Sequence, residues 1–505
     1  LFLSEILSLL AEEDLLKEYI QNGEWQYPAE SFPEGEIKGL TYDSSQAAPQ
    51  FAFFCKGRHF KPAYLEDAIS RGATVYLSEN IYETPNGVIG IIVTNIREAM
   101  SLISQAFFGY PQDALRVIGV TGTKGKTTTA YFIHSILQES THNKTALLSS
   151  MDVILDGIHP HKAHLTTPES LDLFAMMKEA VDAGMTHLVM EVSSQAYKLE
   201  RVYDLHFDVG IFLNISRDHI SPVEHPTFDD YFYCKRQLMK NCDIAIINRD
   251  ADHAPLIIDT AKNFAEDLLT FGKDDPKADY YYESLSPEHF AFHSAKDPYQ
   301  ISGEYQLSIP GDFNEENAAA AILAAVLVGA EPHAVSDGLL KTKVPGRMET
   351  YFDEKGTRYI VDYAHNYISI KRILEYAKIA RPAGRTIMVV GSAGGKAESR
   401  RHDIAQAIAE SGDIAIFTDE DSYFEPVEKI LGEMKDQLVA QNPKITHFEI
   451  ADRREAIQKA VAIAGPKDTV IIAGKGADPS FQLRGKEIPY ETDAVVLKRL
   501  LGQMN

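Results

Sequence analysis

The run Val117-Ile118-Gly119-Val120-Thr121-Gly122-Thr123-Lys124-Gly125-Lys126-Thr127-Thr128-Thr129 brings together the residue types that handle phosphate. A β-branched apolar run stops at a glycine-rich turn, and an amphipathic segment follows with Tyr131, Ile133, Ile136 and Leu137 at helical spacing. In a strand, glycine-rich loop and helix, successive backbone N–H groups and the helix N-terminus face an anion. Gly122, Thr123, Lys124 and Gly125 would line that loop. Lys126 would reach the outer phosphates, and the Thr127 or Thr128 hydroxyl would meet a magnesium ion. An ordinary strand-to-helix turn would need the glycines but not the lysine and threonines, so the coincidence favours ATP. The spacing Gly-x-x-Gly-Lys-Thr is tighter than the usual phosphate-loop pattern.

Other polar residues stand where strands should end. Glu191, in His187-Leu-Val-Met-Glu191-Val-Ser193-Ser194-Gln195, follows an apolar run and could hold a metal opposite the phosphate loop, although a helix-capping serine explains part of the stretch. Asn214-Ile-Ser-Arg-Asp218-His219 repeats the arrangement one strand later. Lys235, in Tyr231-Phe-Tyr-Cys-Lys235-Arg236, reads on its own as a solvated charge on a helix. Gly311-Asp-Phe313-Asn314-Glu-Glu-Asn317 stands before an alanine-rich helix; Phe313 could stack on a base while Asn314 and Asn317 read its edge, and a capping box accounts for the asparagines almost as well.

Further along, Asp362-Tyr363-Ala364-His365-Asn366 offers acid, phenol and imidazole to a cleft. Gly394-Gly395-Lys396 and Arg400-Arg401 add positive charge suited to a carboxylate, and Gly474-Lys-Gly-Ala-Asp478 ends a strand with an acid that could hold an ammonium group. Arg347, in Val-Pro-Gly-Arg-Met-Glu, lies at a hinge. Nucleotide and metal on one side and both signs of charge on the other suit the joining of an amine to a carboxylate activated by ATP as an acyl phosphate.

The elements that must position these groups are those of an α/β protein. A chain of 505 residues is too long for one core. The pattern predicts three domains, 1–112, 113–341 and 342–505: a central phosphate-loop domain built on a parallel sheet, an N-terminal α/β domain, and a C-terminal Rossmann-like α/β domain. Central strands are expected at 117–120, 146–148, 187–190, 209–213 and 244–247, and C-terminal ones at 359–361, 386–390, 414–417 and 469–473. Asp274–Tyr282 reads as a surface loop or edge strand. The formal charge of −24, with no basic cluster, argues against nucleic acid. The three cysteines, Cys55, Cys234 and Cys242, are too scattered for a disulfide framework or a zinc ribbon. No apolar run is long enough to span a membrane, and the acidic start reads as a helix, so a cytoplasmic, monomeric protein is expected.

Taken in order, these motifs resemble the Mur ligases, the ATP-dependent amide-forming enzymes of peptidoglycan precursor synthesis. The resemblance rests on Thr121–Thr127, Thr166-Thr167-Pro168-Glu169, Glu191-Val-Ser-Ser, Asn214 with Asp218-His219, Phe313-Asn314 with Asn317, Pro345-Gly-Arg347 and Asp362-Tyr-Ala-His365. Within the family it points to the members that add the third residue to UDP-N-acetylmuramoyl-L-alanyl-D-glutamate, of the L-lysine-adding kind.

The resemblance implies roles that spacing alone does not. Ser44, within Tyr42-Asp43-Ser44-Ser45, together with Thr166, Thr167, Ser193 and Arg201, would meet the UDP-sugar dipeptide. Thr127, Glu191, His219 and Lys235 would hold magnesium, with Lys235 carbamylated to N6-carboxylysine. Lys126, Glu191, His219 and Lys235 form the implied catalytic set. Asn314, Asn317, Arg347 and Asp362 would contact ATP, while Lys396, Arg400, Glu420 and Asp478 would grip the incoming amino acid.

Three departures from the family pattern stand out. Ser45 replaces an arginine, the loop Asp419-Glu420-Asp421-Ser422 replaces Asp-Asn-Pro, and Ala477-Asp478 replaces His-Glu. The acidic loop has no arginine for a second carboxylate, as diaminopimelate would need, and favours a cationic side chain such as lysine. The alternatives are the same ligase with ornithine or diaminopimelate, a folylpolyglutamate synthase, or a nucleotide-binding regulator without turnover. Such a regulator would have no need of Lys126, Glu191, His219 and Lys235 together.

Overall fold

The computed structural model describes residues 1–26, 34–217, 220–221, 224–395 and 399–503. The chain packs as two compact units, one of Leu1–Glu283, Phe292–Gly303 and Glu316–Leu339, the other of Ser284–Ala291, Glu304–Glu315 and Leu340–Asn505.

The first unit holds two sheets. Its N-terminal sheet has the order Glu24–Gln26, Leu16–Gln21, Ile89–Val93, Val75–Ser78, Phe51–Phe54, Gly39–Thr41. The last four of these strands run parallel, and Leu16–Gln21 pairs antiparallel with both of its neighbours. Helix Leu3–Glu12 carries Leu3, Ile6, Leu7 and Leu10 on one stripe, and this stripe is buried in the same core as Ile91, Val93 and Ile103. Helix Ile96–Phe107 starts where it does because the Asn95 side chain accepts from the N–H groups of Arg97 and Glu98.

The phosphate-loop strand Arg116–Thr121 lies inside the second sheet. The order there is Thr145–Leu148, His187–Glu191, Arg116–Thr121, Phe207–Phe212, Cys242–Asn248, Asp267–Lys273, all parallel. Burial on both faces explains the unbroken apolar runs that made these strands readable. After Arg116–Thr121 the chain builds four strands on one side, Thr145–Leu148, Asp152–Ile154, Pro160–Lys162 and His187–Glu191, and then crosses to Phe207–Phe212 on the other. In open parallel sheets the crevice for ligands forms beyond the carboxyl ends at such a change of side.

Two expectations need correction. Helix Asp312–Leu327 takes in Phe313 and Asn314, which were expected to precede it; acids at Asp312 and Glu315 favour the helix start. Within Asp274–Tyr282, Tyr280 opens a strand paired with Asp267–Lys273, and Tyr280 and Tyr282 are buried, so this end is not surface loop.

The second unit carries the sheet Glu349–Phe352, Arg358–Asp362, Thr469–Ala473, Thr386–Val390, Ile414–Phe417, Thr446–Glu449, parallel except for its first strand. Arg453 is buried and fastens its helix to Asp493 through two bonds of 2.7 Å and to the strand end through Ala473 O at 2.8 Å. No helix among the described residues is long and apolar enough to cross a membrane.

Helix Pro332–Lys341 meets the phosphate-loop helix Lys126–Thr141 at Gly338, where an added Cβ would lie 2.4 Å from Ile136 Cα. Gly338→Ala gains about 0.5–1 kcal/mol in helix propensity but forces two backbones apart, at a cost of about 1–3 kcal/mol. The variant is therefore expected to unfold at lower urea concentration than the parent. A midpoint equal to or above the parent's would rule out this close approach.

Candidate active site

The phosphate loop is held from three sides. Gly125 caps the helix at φ +87°, and an added Cβ there would stand 2.3 Å from Asn317 Oδ1, so glycine is required on both counts. Asn317 Oδ1 also accepts from Thr129 Oγ1 at 3.2 Å. Asn214 clamps the loop: its backbone carbonyl accepts from Thr123 N at 3.0 Å, its Oδ1 from Lys124 N at 2.9 Å, and its Nδ2 donates to Lys124 O at 3.2 Å. From the third side, Tyr231 Oη lies 3.1 Å from Thr123 Oγ1. Thr127 is half-buried and Thr128 buried, so Thr127 is the more accessible hydroxyl for a metal.

Lys235 is not on the surface, as its side chain alone would suggest. It is 2% exposed, one helical turn beyond Tyr231, and its Nζ donates to Gly122 O at 2.7 Å. Lys126 Nζ donates to the same carbonyl at 2.9 Å. Helix Phe228–Arg236 thus sets a buried lysine against the phosphate loop, because Tyr231 and Lys235 share a face four residues apart.

Glu191 ends its strand with its carboxylate fully buried. Ser150 N donates to Oε1 at 2.7 Å and Ser150 Oγ lies 3.1 Å from Oε2. Around the same strand end Thr167 Oγ1 donates to Glu191 O at 2.9 Å and accepts from Ser193 N at 3.0 Å, and Arg201 donates to Thr167 O at 3.1 Å. The structure therefore brings Thr166, Thr167, Ser193, Arg201 and Glu191 together. Asp218, His219 and Lys396 lie outside the described residues.

Glu169 gathers cations from both sheets of the first unit. Lys56 Nζ donates to it at 2.6 Å, Arg201 at 2.7 and 2.9 Å, and Arg97 stands 3.6 Å away. Burial alone would raise the Glu169 carboxyl, but the Lys56 and Arg201 contacts outweigh it and hold the group below its usual range. Ser44 sits in a short turn capped by Asp43, bonded to Asp67.

In the second unit Asp362 Oδ2 accepts from Met348 N at 2.9 Å and Oδ1 from Ala364 N at 2.7 Å, which ties down the turn that carries Arg347. The Arg347 guanidinium stands 5.0 Å over the Tyr363 ring. Asp478 was expected to be ready for an ammonium group, but it already holds one: Lys475 Nζ donates to it at 2.8 Å and to Asp421 at 3.1 Å. Arg401 is likewise committed, buried between Glu425 and Glu433, which leaves Arg400 as the half-buried cation of that pair. Asn314 is buried with its amide donating to Pro310 O at 3.0 Å. Glu420 is 8% exposed, and its Oε2 has no hydrogen-bond partner among the described residues. Burial raises its carboxyl to about 7, against the opposing charge of Arg453.

Ser150, Tyr231, Lys56 and Arg97 were not singled out from sequence. Ser150 had the same signal as Glu191, a polar residue just past a buried strand, but two adjacent serines are too common for that signal to be selective.

A model of the Mur ligase middle domain matches residues 120–325, and one of the Mur ligase glutamate ligase domain matches 346–476. The chain is 45% identical over 505 residues to a UDP-N-acetylmuramoyl-L-alanyl-D-glutamate–L-lysine ligase of Enterococcus faecalis, covering 99% of each chain. It is 43% identical to a UDP-N-acetylmuramyl-tripeptide synthetase of Ligilactobacillus salivarius, covering 99% of this chain and 98% of that one. Among solved structures, a UDP-N-acetylmuramoyl-L-alanyl-D-glutamate–2,6-diaminopimelate ligase superimposes with a TM-score of 0.68 at 26% identity, over 94% of this chain and 97% of that one.

The position of Glu420 has a consequence for stability. Between the usual glutamate range and about 7, the unfolded chain ionises this group while the native one keeps it protonated, so stability falls as pH rises through that window. Glu420→Gln is expected to match the parent in urea unfolding near pH 4 and to exceed it by about 2–3 kcal/mol at pH 8. An equal offset at both pH values would show that Glu420 titrates as an ordinary surface acid.

Proposed function

The chain belongs to the Mur ligase family, and from that premise we propose that it joins L-lysine to UDP-N-acetylmuramoyl-L-alanyl-D-glutamate with cleavage of ATP to ADP and phosphate. The observation that carries this reading is Lys235, buried in the wall of the phosphate loop with its Nζ 2.7 Å from Gly122 O. A surface lysine could not contribute there. A buried one at the phosphate loop can be converted to an acid by adding CO2 to its neutral amine, with an N–C bond formed and a proton released.

Thr127, Glu191 and carbamylated Lys235, with His219, are the oxygen and nitrogen donors that would hold magnesium, and the ion would neutralise charge on the transferring phosphoryl group. Lys126 and the first N–H groups of helix Lys126–Thr141 bind the outer phosphates of ATP, and Asn317 fixes the loop beneath them. Thr166, Thr167, Ser193 and Arg201 orient the dipeptide so that its terminal carboxylate attacks the γ-phosphorus. The carboxylate oxygen bonds to phosphorus as the bond to ADP breaks, giving an acyl phosphate. The lysine α-amine then adds to that carbonyl, phosphate leaves with the bonding pair, and a proton is lost from nitrogen.

We assign the work to three segments: 1–112 for the uridine sugar, 113–341 for ATP and the dipeptide, and 342–505 for the amino acid. The relatives named for L-lysine and the acidic run Asp419-Glu420-Asp421 support a cationic side chain as the third residue. Arg400 would meet that amino acid's carboxylate.

The test is phosphate release from ATP and magnesium with the UDP-sugar dipeptide, in the presence of bicarbonate, across L-lysine, L-ornithine, meso-diaminopimelate and D-aspartate. Release is expected with L-lysine, with a tripeptide product by mass. Lys235→Ala should lower kcat/KM on the order of a hundredfold or more. Turnover confined to another amino acid would overturn the assignment of lysine. No turnover with any of them, by protein that binds ATP, would overturn the ligase reading.

A further inference from the structure

Ser150 is the link between two groups that the proposed reaction must bring into register. It follows strand Thr145–Leu148 and is exposed, whereas the Glu191 carboxylate it covers is fully buried. Both carboxylate oxygens of Glu191 meet Ser150, Oε1 through the backbone N–H at 2.7 Å and Oε2 through the hydroxyl at 3.1 Å. The same hydroxyl lies 3.1 Å from Thr166 Oγ1, on the half-buried segment assigned to the dipeptide. A serine hydroxyl has one proton to give and can accept others. Ser150 Oγ is placed to donate to Glu191 Oε2 or to Thr166 Oγ1, so these two oxygens compete for its one proton.

We infer that Ser150 is a positioning residue that couples occupancy of the dipeptide site to the orientation of the Glu191 carboxylate toward a divalent cation. The inference rests on the proposed reading of Glu191 and Thr166. The physical basis is general: partners that hydrogen bond a metal-binding carboxylate fix its direction, and their loss typically weakens metal binding by about 10–100-fold. A ligand that occupies the Thr166 oxygen removes the competing acceptor, so the Ser150 proton is given to Glu191. Thermodynamic linkage makes the effect reciprocal, so metal must alter dipeptide affinity by the same factor. The backbone N–H contact to Oε1 survives any substitution of the side chain, which leaves the carboxylate in place and removes one of its two directing bonds.

The test measures Mn2+ binding by the loss of the free-ion electron paramagnetic resonance signal, without turnover. It uses the full-length protein with bicarbonate, with and without UDP-N-acetylmuramoyl-L-alanyl-D-glutamate. The parent is expected to bind Mn2+ several-fold more tightly with the dipeptide nucleotide present. Ser150→Ala should bind Mn2+ about tenfold more weakly and show no change on adding the nucleotide. Ser150→Thr, which keeps the hydroxyl, should restore both affinity and coupling; a purely structural role for Ser150 would not predict that rescue. If Ser150→Ala, with a thermal midpoint like the parent's, binds Mn2+ as the parent does and keeps the coupling, the inference falls while the ligase reading stands. If the parent binds neither Mn2+ nor the nucleotide, both fall.

Discussion

Everything at the nucleotide end of the first unit depends on the backbone of residues 121–125 being held in a shape that it would not keep alone. A loop that turns its N–H groups toward phosphate turns its carbonyls the other way, and those carbonyls need partners once buried. Gly122 O receives two ammonium groups, from Lys126 and Lys235, while the Asn214 side chain takes one donor and one acceptor of Lys124. The partners come from the strand on one side of Arg116–Thr121, from helix Phe228–Arg236 and from helix Asp312–Leu327. The parallel sheet is what makes this possible, because it delivers its strand ends to the same edge. These contacts are all made within the protein and hold the loop in a shape suited to stabilising charge.

A second constraint ties the N-terminal sheet to the central one. Lys56 follows strand Phe51–Phe54 and Arg97 lies in helix Ile96–Phe107, yet both converge with Arg201 on Glu169. Lys56, Glu169 and Arg201 have side chains only 10–12% exposed, so their attraction is little screened by water, and removing one partner would strand buried charge. This cluster gives a physical reason why residues 1–112 pack in one compact unit with the phosphate-loop sheet, although the sequence pattern divides them at 112. The acid at its centre closely follows Thr166 and Thr167, so the ions that join the sheets also fix that segment's position.

The fold was legible wherever burial on both faces forced a continuous apolar run closed by a polar residue. Strands Thr386–Val390, Ile414–Phe417 and Thr469–Ala473 fall where such runs place them. Glu191 and Asn214 were legible for the same reason. Pairings between distant segments were not. Nothing local shows that Lys235 turns inward, since a lysine on a helix has the same neighbours in sequence whichever way it faces. Asp478 reads as an open acid until Lys475, three residues earlier, is seen to hold it. Ser150 was hidden because its meaning lies in an acid 41 residues away. Resemblance to a family supplied the role of Lys235, and the burial of that residue is consistent with it.

Glu420 shows how such a site can select by withholding a partner. Its carboxyl is buried, its Oε2 has no hydrogen-bond partner among the described residues, and it stays protonated toward neutral pH although Arg453, Lys475 and Arg400 all draw it toward ionisation. The cost of burying the charged form therefore exceeds what the resident cations return. On the proposed reading, an arriving lysine ammonium adds the attraction that was missing, and the acid ionises as the ligand binds. A side chain ending in a carboxylate would do the reverse, since it would bring like charge to Asp421 and to a group already reluctant to ionise. Discrimination then comes from the sign of the charge that a ligand brings to Glu420 and Asp421.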